Sequence, residues 1–496
     1  MKFPDSNTEI LSRRDEIVAR LREIVPDGVV ADKSGLATFD CDALSTYRQQ
    51  PLVCVLPSNK EQVSAVLRYA SAEGIPIVPR GSGTSLSGGA LPRADGILLG
   101  LGRMKRILEI DYENGCVVAE PGVTNLNITK AVEAQGFYYA PDPSSQVACS
   151  IGGNVAENSG GLHCLKYGLT TNNILGVTFV LPDGQIVKLG GKSGAQGGID
   201  LLGLITGSEG LLGVVVEIVA RILRKAPVTR TVLASFDTVT AAGAAVAAII
   251  ADGVVPAAME FMDRRCAEAI EDYNAPGYPK AEAVLLIDAD GVEADVSDAI
   301  ARISAIVARI GGTLKEATDE QARAKMWAGR KAAFAAMGKL APDMMCMDGS
   351  IPRGALPQVL AEMDKLSDQY GLSFCNVFHA GDGNLHPLIL FDQDKPGDLE
   401  RAEAFGADIL RLCVKVGGVL SGEHGVGIEK RDLMTDMFSE QDLEQQHRIK
   451  CAIDPAGLFN PGKVFPTLSA CIEQGHLHVH GAQMPRPDLP PSEALR

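Results

Sequence analysis

Two cysteines never stand three residues apart in this chain, and its eleven cysteines are scattered rather than grouped. That excludes a CxxC redox motif and the close spacing of an iron–sulfur ligand set. In a chain of 496 residues, dispersed thiols point to a reduced protein, so free cysteines and a cytoplasmic location are expected. Positive charge is also short. Lys and Arg number 46 against 62 Asp and Glu, for a net charge of −16. No basic stripe is available to neutralise a phosphate backbone, which argues against nucleic acid as a partner. No apolar run reaches about 18 residues, so no transmembrane segment is expected. The opening MKFPDSNTEILSRRDEIV lacks the apolar core of a signal peptide.

Hydrophobic residues at 46% and charged residues at 22% leave material for a large core divided among two to four domains. Residues 1–49 read as an amphipathic helix over 8–25 and a lead-in. Ile10, Leu11, Ile17, Val18, Leu21 and Ile24 recur there at helical spacing. From 50 to 226, short apolar strands (LVCVLP, IPIVP, GILLGL, CVVAEP, NILGVTFVLP) alternate with glycine-rich turns. Helices are predicted at 59–73 and 124–136, stopped by Gly74 and Gly136. From 227 to 467 the order of strands and helices predicts a small antiparallel sheet covered by helices. The whole is α+β. Residues 468–496 are Pro-rich and polar and read as a disordered tail, in which His476, His478 and His480 carry no assigned role.

Three glycine- and serine-dense segments fall in the first half. The first is Arg80-Gly81-Ser82-Gly83-Thr84-Ser85, directly after the strand IPIVP. The second begins at Pro141, passes Ser144 and Ser145, and runs through Ser150, Gly152, Gly153, Asn154, Asn158, Gly160 and Gly161. The third holds Gly207, Glu209 and Gly210. Backbone N–H groups in such loops can converge on phosphate oxygens. The first segment is not a dinucleotide fingerprint, because Leu86 stands where the last glycine is needed. Three such segments exceed what turns require, and a large diphosphate cofactor explains them.

Histidine is scarce, at 8 residues. Two stand in His379-Ala-Gly-Asp-Gly-Asn384-Leu-His386 and one in Ser421-Gly-Glu423-His424-Gly. Strand-like SFCNVF and PLILF flank the first motif, and Asp382-Gly383 is a two-residue hairpin signal. With that turn centre His379 lies opposite His386, with Cβ atoms about 5 Å apart, and Asn384 shares their face. Two imidazoles and the Glu423 carboxylate suit Zn²⁺, with Mn²⁺ or Fe²⁺ as alternatives. The other reading is a histidine pair that only braces a hairpin.

Taken together, these motifs resemble the FAD-linked D-2-hydroxy acid dehydrogenases of the vanillyl-alcohol oxidase / p-cresol methylhydroxylase (PCMH) superfamily. That family includes glycolate oxidase flavoprotein subunits, D-lactate dehydrogenases and D-2-hydroxyglutarate dehydrogenases. The resemblance spans about residues 45–467. It implies a PCMH-type FAD-binding domain at 50–226 and a substrate and metal domain at 227–467. It implies FAD held by the three segments, with its ring between the domains and touched by Asn460. Some members tether the flavin through a histidine where this chain has Thr84, so non-covalent FAD is expected. It implies a divalent metal on His379, His386 and Glu423, His424 as base, Arg330 for the substrate carboxylate and Asn384 as a further polar contact. The expected substrate is glycolate or D-lactate. A 2-hydroxy diacid needs a further cation, for which Lys339 is the candidate, while Ala341–Met347 is largely apolar. Expected partners are iron–sulfur and second flavin-type subunits, placing the protein peripherally at the inner membrane. A metal-independent alcohol oxidase and a non-catalytic flavoprotein are the competing readings.

Overall fold

The computed structural model describes residues 5–193 and 197–466, so the predicted tail at 468–496 lies outside the described residues. Within the first 226 residues the chain builds two principal sheets. One has four strands in the order Val29–Val30, Val53–Val55, Ile97–Gly100, Ile77–Arg80, with the last three parallel. Helix Lys60–Glu73 makes the crossover, started by Asn59, whose side chain accepts from Gln62 N, and ended by Gly74 at φ 66°. The other sheet has five antiparallel strands in the order Ile107–Asp111, Cys116–Ala119, Val214–Arg221, Ile174–Val180, Ile186–Gly190. The loops at 80–91, 141–161 and 205–213 lie between these elements. The helix expected over 8–25 is two helices, Thr8–Ser12 and Arg14–Ile24, broken at Arg13.

The second half is larger than the small sheet expected: nine antiparallel strands with helices on both faces. Its central strand, Ala283–Gly291, is buried over seven consecutive residues. Alternation explains why. Leu285, Ile287 and Ala289 enter one core with helices Val239–Ala251, Glu293–Arg309, Leu356–Tyr370 and Asp398–Lys415. Val284 and Leu286 enter the other core with helices Arg264–Asn274 and Glu320–Lys331 and with Ala333–Met337. Leu162 is buried in this second core and Leu86 packs against it, so the first half closes over this face. Among the described residues, nine cysteines are free thiols. Cys451 departs from the expected reduced set, being disulfide-bonded.

Candidate functional site

The motif histidines stand at the end of strand Ser373–His379, and their register differs from the expected one. His379 pairs with Asn384 rather than with His386, and Asn376 pairs with Pro387. The loop is therefore four residues, Ala380–Gly383. Asp382 N donates to His379 O and Gly383 N to Ala380 O, forming two successive turns instead of one tight turn. The shift is two residues, the period of a strand, so His379, Asn384 and His386 keep a common face. The rings of His379 and His386 lie 5.1 Å apart.

The next strand, Ala258–Asp263, places Glu260 directly opposite His379. Glu260 Oε1 accepts from His379 Nδ1 at 2.7 Å, and Glu260 Oε2 pairs with Arg330 Nη2 at 2.7 Å. Arg330 is 3% exposed, which rules out a solvated helix arginine. Burial opposes ionisation of Glu260, but His379 and Arg330 outweigh it and hold the carboxyl below its ordinary range. With Nδ1 committed, His379 presents Nε2, which lies 3.2 Å from Glu423 Oε1. His386 Nε2 lies at the same distance. Such separations match the roughly 3 Å between donors that sit about 2.0–2.2 Å from one cation. The donor set therefore fits a divalent ion, with Glu260 as the carboxylate that orients its histidine. Asn384 Nδ2 is 3.2 Å from His386 Nε2.

Glu423 and His424 sit on a loop fixed by Asp348. This fully buried carboxylate accepts from Ser421 Oγ, from the backbone N–H groups of Gly422, Glu423 and His424, and from Lys430 Nζ at 2.9 Å. Saturated in this way, Asp348 organises the loop and is not a free ligand, although it stands within reach of His386 and His424. The His424 ring stacks on His386 at 4.9 Å, and its Nδ1 is buried without a partner. Burial first, and then the competing pull of Asp348 against the push of His386, brings His424 down to about 4, leaving it neutral near pH 7. Burial opposes ionisation of Glu423, yet the three histidines bring it to about 2.

A cavity of about 460 Å³ joins the two halves. One end is lined by Arg80–Ser85, Ser144, Ser145, Ser150, Gly152, Gly153, Asn154, Glu209 and Gly210. The other is lined by Arg330, Lys331, Phe334, His386, Glu423 and His424. The loops approach closely: a Cβ on Gly81 would stand 2.3 Å from Ser150 Oγ. Residues 51–190 match the FAD binding domain family, and residues 225–464 match the C-terminal domain of FAD linked oxidases. Glycolate oxidase subunit GlcD of Escherichia coli (strain K12) is 50% identical over 479 residues, 96% of each chain.

The chain belongs to the FAD-linked oxidase family.

A D-lactate dehydrogenase of Archaeoglobus fulgidus is 32% identical over 418 residues, 83% of this oxidase and 91% of the relative. Two solved structures share its fold at TM-score 0.78. The 4-ethylphenol oxidase from Gulosibacter chungangensis is 19% identical, and p-cresol methylhydroxylase is 17% identical; each covers 94% of this chain and is itself covered to 99%. The oxidase is thus an FAD-dependent oxidoreductase of mixed α+β, PCMH-type fold.

Several expected cofactor contacts instead support the cavity wall of the oxidase from behind. Pro141 O accepts from Asn125 Nδ2, and Asn158 ends helix Ile151–Glu157 at φ 52°. Gly161 packs on the Asp142 carbonyl, and a Cβ on Gly207 would stand 3.2 Å from that of Asn158. Asn460 Nδ2 donates to Gly89 O and Glu209 O. Gly160 backs the other end: a Cβ there would stand 2.4 Å from Glu423 Oε2. Glu209 lines the cavity but gives both oxygens to Val426 N and Gly427 N, tying the two halves together. His379 and Asn384 lie behind the lining. Lys339 is remote, donating to Asp272 O, and the 341–347 segment does not line the cavity. Sequence reasoning missed Glu260, Asp348 and Lys430. A single glutamate in the apolar stretch AAMEFM was the available signal for the first.

Proposed function

We propose that this protein converts a small 2-hydroxy acid, glycolate or D-lactate, to the 2-oxo acid and passes the electrons to an acceptor other than O₂. One observation carries the reading. A single cavity runs from the cofactor loops to Glu423, His386 and His424, whose buried Nδ1 has no hydrogen-bond partner. The relatives named for glycolate and D-lactate support the substrate class.

FAD supplies the two-electron acceptor, and a divalent ion on His379, His386 and Glu423 would supply a Lewis acid toward the α-hydroxyl. The chain's own groups do the rest. His424 takes the hydroxyl proton as the C2 hydride leaves, a task suited to a neutral imidazole held rigidly on its loop by Asp348. Arg330, oriented by Glu260, turns its remaining N–H groups to the substrate carboxylate. Stacking against His386 keeps the His424 ring in one plane.

The GlcD relative is named as a subunit, which supports further subunits here, of iron–sulfur and second flavin type, as the route for electrons. Among the described residues no helix is long and apolar enough to cross a membrane. A cytoplasmic protein meeting the inner membrane through such partners is consistent with this.

Anaerobic mixing with glycolate, D-lactate, L-lactate and D-2-hydroxyglutarate tests the reading. The flavin band should bleach with a short D-acid or glycolate. In His424→Gln, bleaching should slow by about 10²–10⁴-fold with FAD content unchanged. A flavin that no 2-hydroxy acid reduces sinks the proposal, and full speed in the variant removes His424 from its role.

A further inference from the structure

An anionic substrate entering this cavity meets a lining rich in acid. Glu423 contributes a carboxylate, whereas burial and the neighbouring Glu209 raise Glu157 toward its neutral acid and Glu209 accepts from two backbone N–H groups. The cations that could meet such a substrate are largely committed. Arg330 directs Nε and Nη2 at Glu260 Oε2, at 2.9 and 2.7 Å, in a buried pair whose charges cancel. Arg80 donates Nη1 to Cys41 O at 2.7 Å and lies over the Phe39 ring, on the cofactor-loop side. Lys331 differs. It ends helix Glu320–Lys331 one residue after Arg330, lines the same cavity and is exposed. Among the described residues it has no hydrogen bond or ion pair, and neither does its surface position demand one. Phe334, three residues on, shares the lining and packs against the second core.

We propose that Lys331 is a specificity-determining cation of the site, its free ammonium joining the remaining Arg330 N–H groups at the carboxylate of the incoming acid while Phe334 presents an apolar surface to the carbon chain. A lysine suits this role because its ammonium is a mobile point charge on a flexible stem, able to follow a small anion inward. Its field also raises the local concentration of anions at the mouth. Lys339, the candidate partner for a diacid's second carboxylate, is held away against Asp272 O. A mobile cation beside Arg330 and one aromatic ring suits a carboxylate on a short chain. The inference rests on the 2-hydroxy acid reading and is tested apart from turnover.

The probe is sodium pyruvate, a short carboxylate with no C2 hydrogen to surrender, titrated into the FAD-loaded protein and followed by the flavin absorbance change. Wild type, Lys331→Met and Lys331→Arg are compared, with neutral pyruvamide as control. Lys331→Met should bind pyruvate about tenfold or more weakly, and Lys331→Arg should recover most of the loss. Pyruvamide should bind all three alike, and salt should weaken pyruvate binding less in Lys331→Met than in wild type. Equal pyruvate affinities, no pyruvate binding to wild type, or an equal loss for pyruvamide would each overturn the proposal. Anaerobic reduction of the wild-type flavin by D-lactate is read in parallel. Lysine-dependent pyruvate binding without reduction sinks the hydroxy acid reading and leaves the anion site. Reduction without lysine dependence sinks Lys331 alone.

Discussion

Glu260 divides its two oxygens between His379 and Arg330, and both partners are buried with it. Replacing it with Gln removes the charge that pairs with Arg330 and accepts from His379. Glu260→Gln is therefore expected to cost about 3–5 kcal/mol of stability and to weaken divalent metal binding about 10–100-fold. Thermal denaturation and metal content after dialysis check the two effects. Unchanged metal retention would remove Glu260 from its orienting role. The residue was hidden in the sequence for a plain reason. His379, His386 and Glu423 stand in short polar motifs that stop the eye, whereas Glu260 is 119 residues from His379 in an otherwise apolar strand. Only the cross-strand register brings it home. A second residue gives a pH signature. Burial lowers the His163 affinity for protons, but Asp142, 2.9 Å away, outweighs it and raises the imidazole to about 9. Because the folded value stands above the unfolded value of about 6.5, the pair's stabilisation is complete below about 6.5 and disappears as pH rises through about 9. With the side chain 28% exposed, the expected worth is about 1 kcal/mol. His163→Gln should lower the melting temperature near pH 6 and match wild type near pH 10. A deficit that persists at pH 10 contradicts the assignment.

Among the elements, the hairpin teaches most. Asp382-Gly383 pointed to a two-residue turn, and the chain uses four residues instead. The face shared by His379 and His386 survived because a slip of two residues preserves side-chain parity, where a slip of one would have sent His386 to the opposite core. The shared face of the two histidines was thus legible even with the turn misread. Strands rich in Val, Ile and Leu and the helix stopped by Gly74 were legible too, since period and cap chemistry are local. The break at Arg13 was not, because the apolar spacing runs straight through it. Glycine-dense loops were read too generously. Gly160 was expected at the cofactor, but its missing side chain makes room for Glu423. Gly160→Ala should keep FAD, as read by the visible spectrum, and lose divalent metal. Loss of FAD with metal retained would return Gly160 to the cofactor end.

At the scale of the whole molecule, two sheets of the first half face a nine-stranded sheet of the second across one cavity. Glu209 reaches across to Val426 and Gly427, and Leu162 is buried in the opposite core. The family, cofactor and fold class were legible because they rest on ordered motifs spread along the chain. The spatial join was not, because no local pattern records which carboxylate serves which loop. The central claim is that one cavity places a metal-held hydroxy acid against FAD. The most direct measurement is anaerobic flavin reduction by glycolate and D-lactate in protein stripped with chelator and then titrated with Zn²⁺ or Mn²⁺. The account predicts that stripped protein keeps its FAD but is reduced at least about 100-fold more slowly, with full rate returning at one metal per chain. Rapid reduction of metal-free protein would contradict it and favour a metal-independent alcohol oxidase on the same fold.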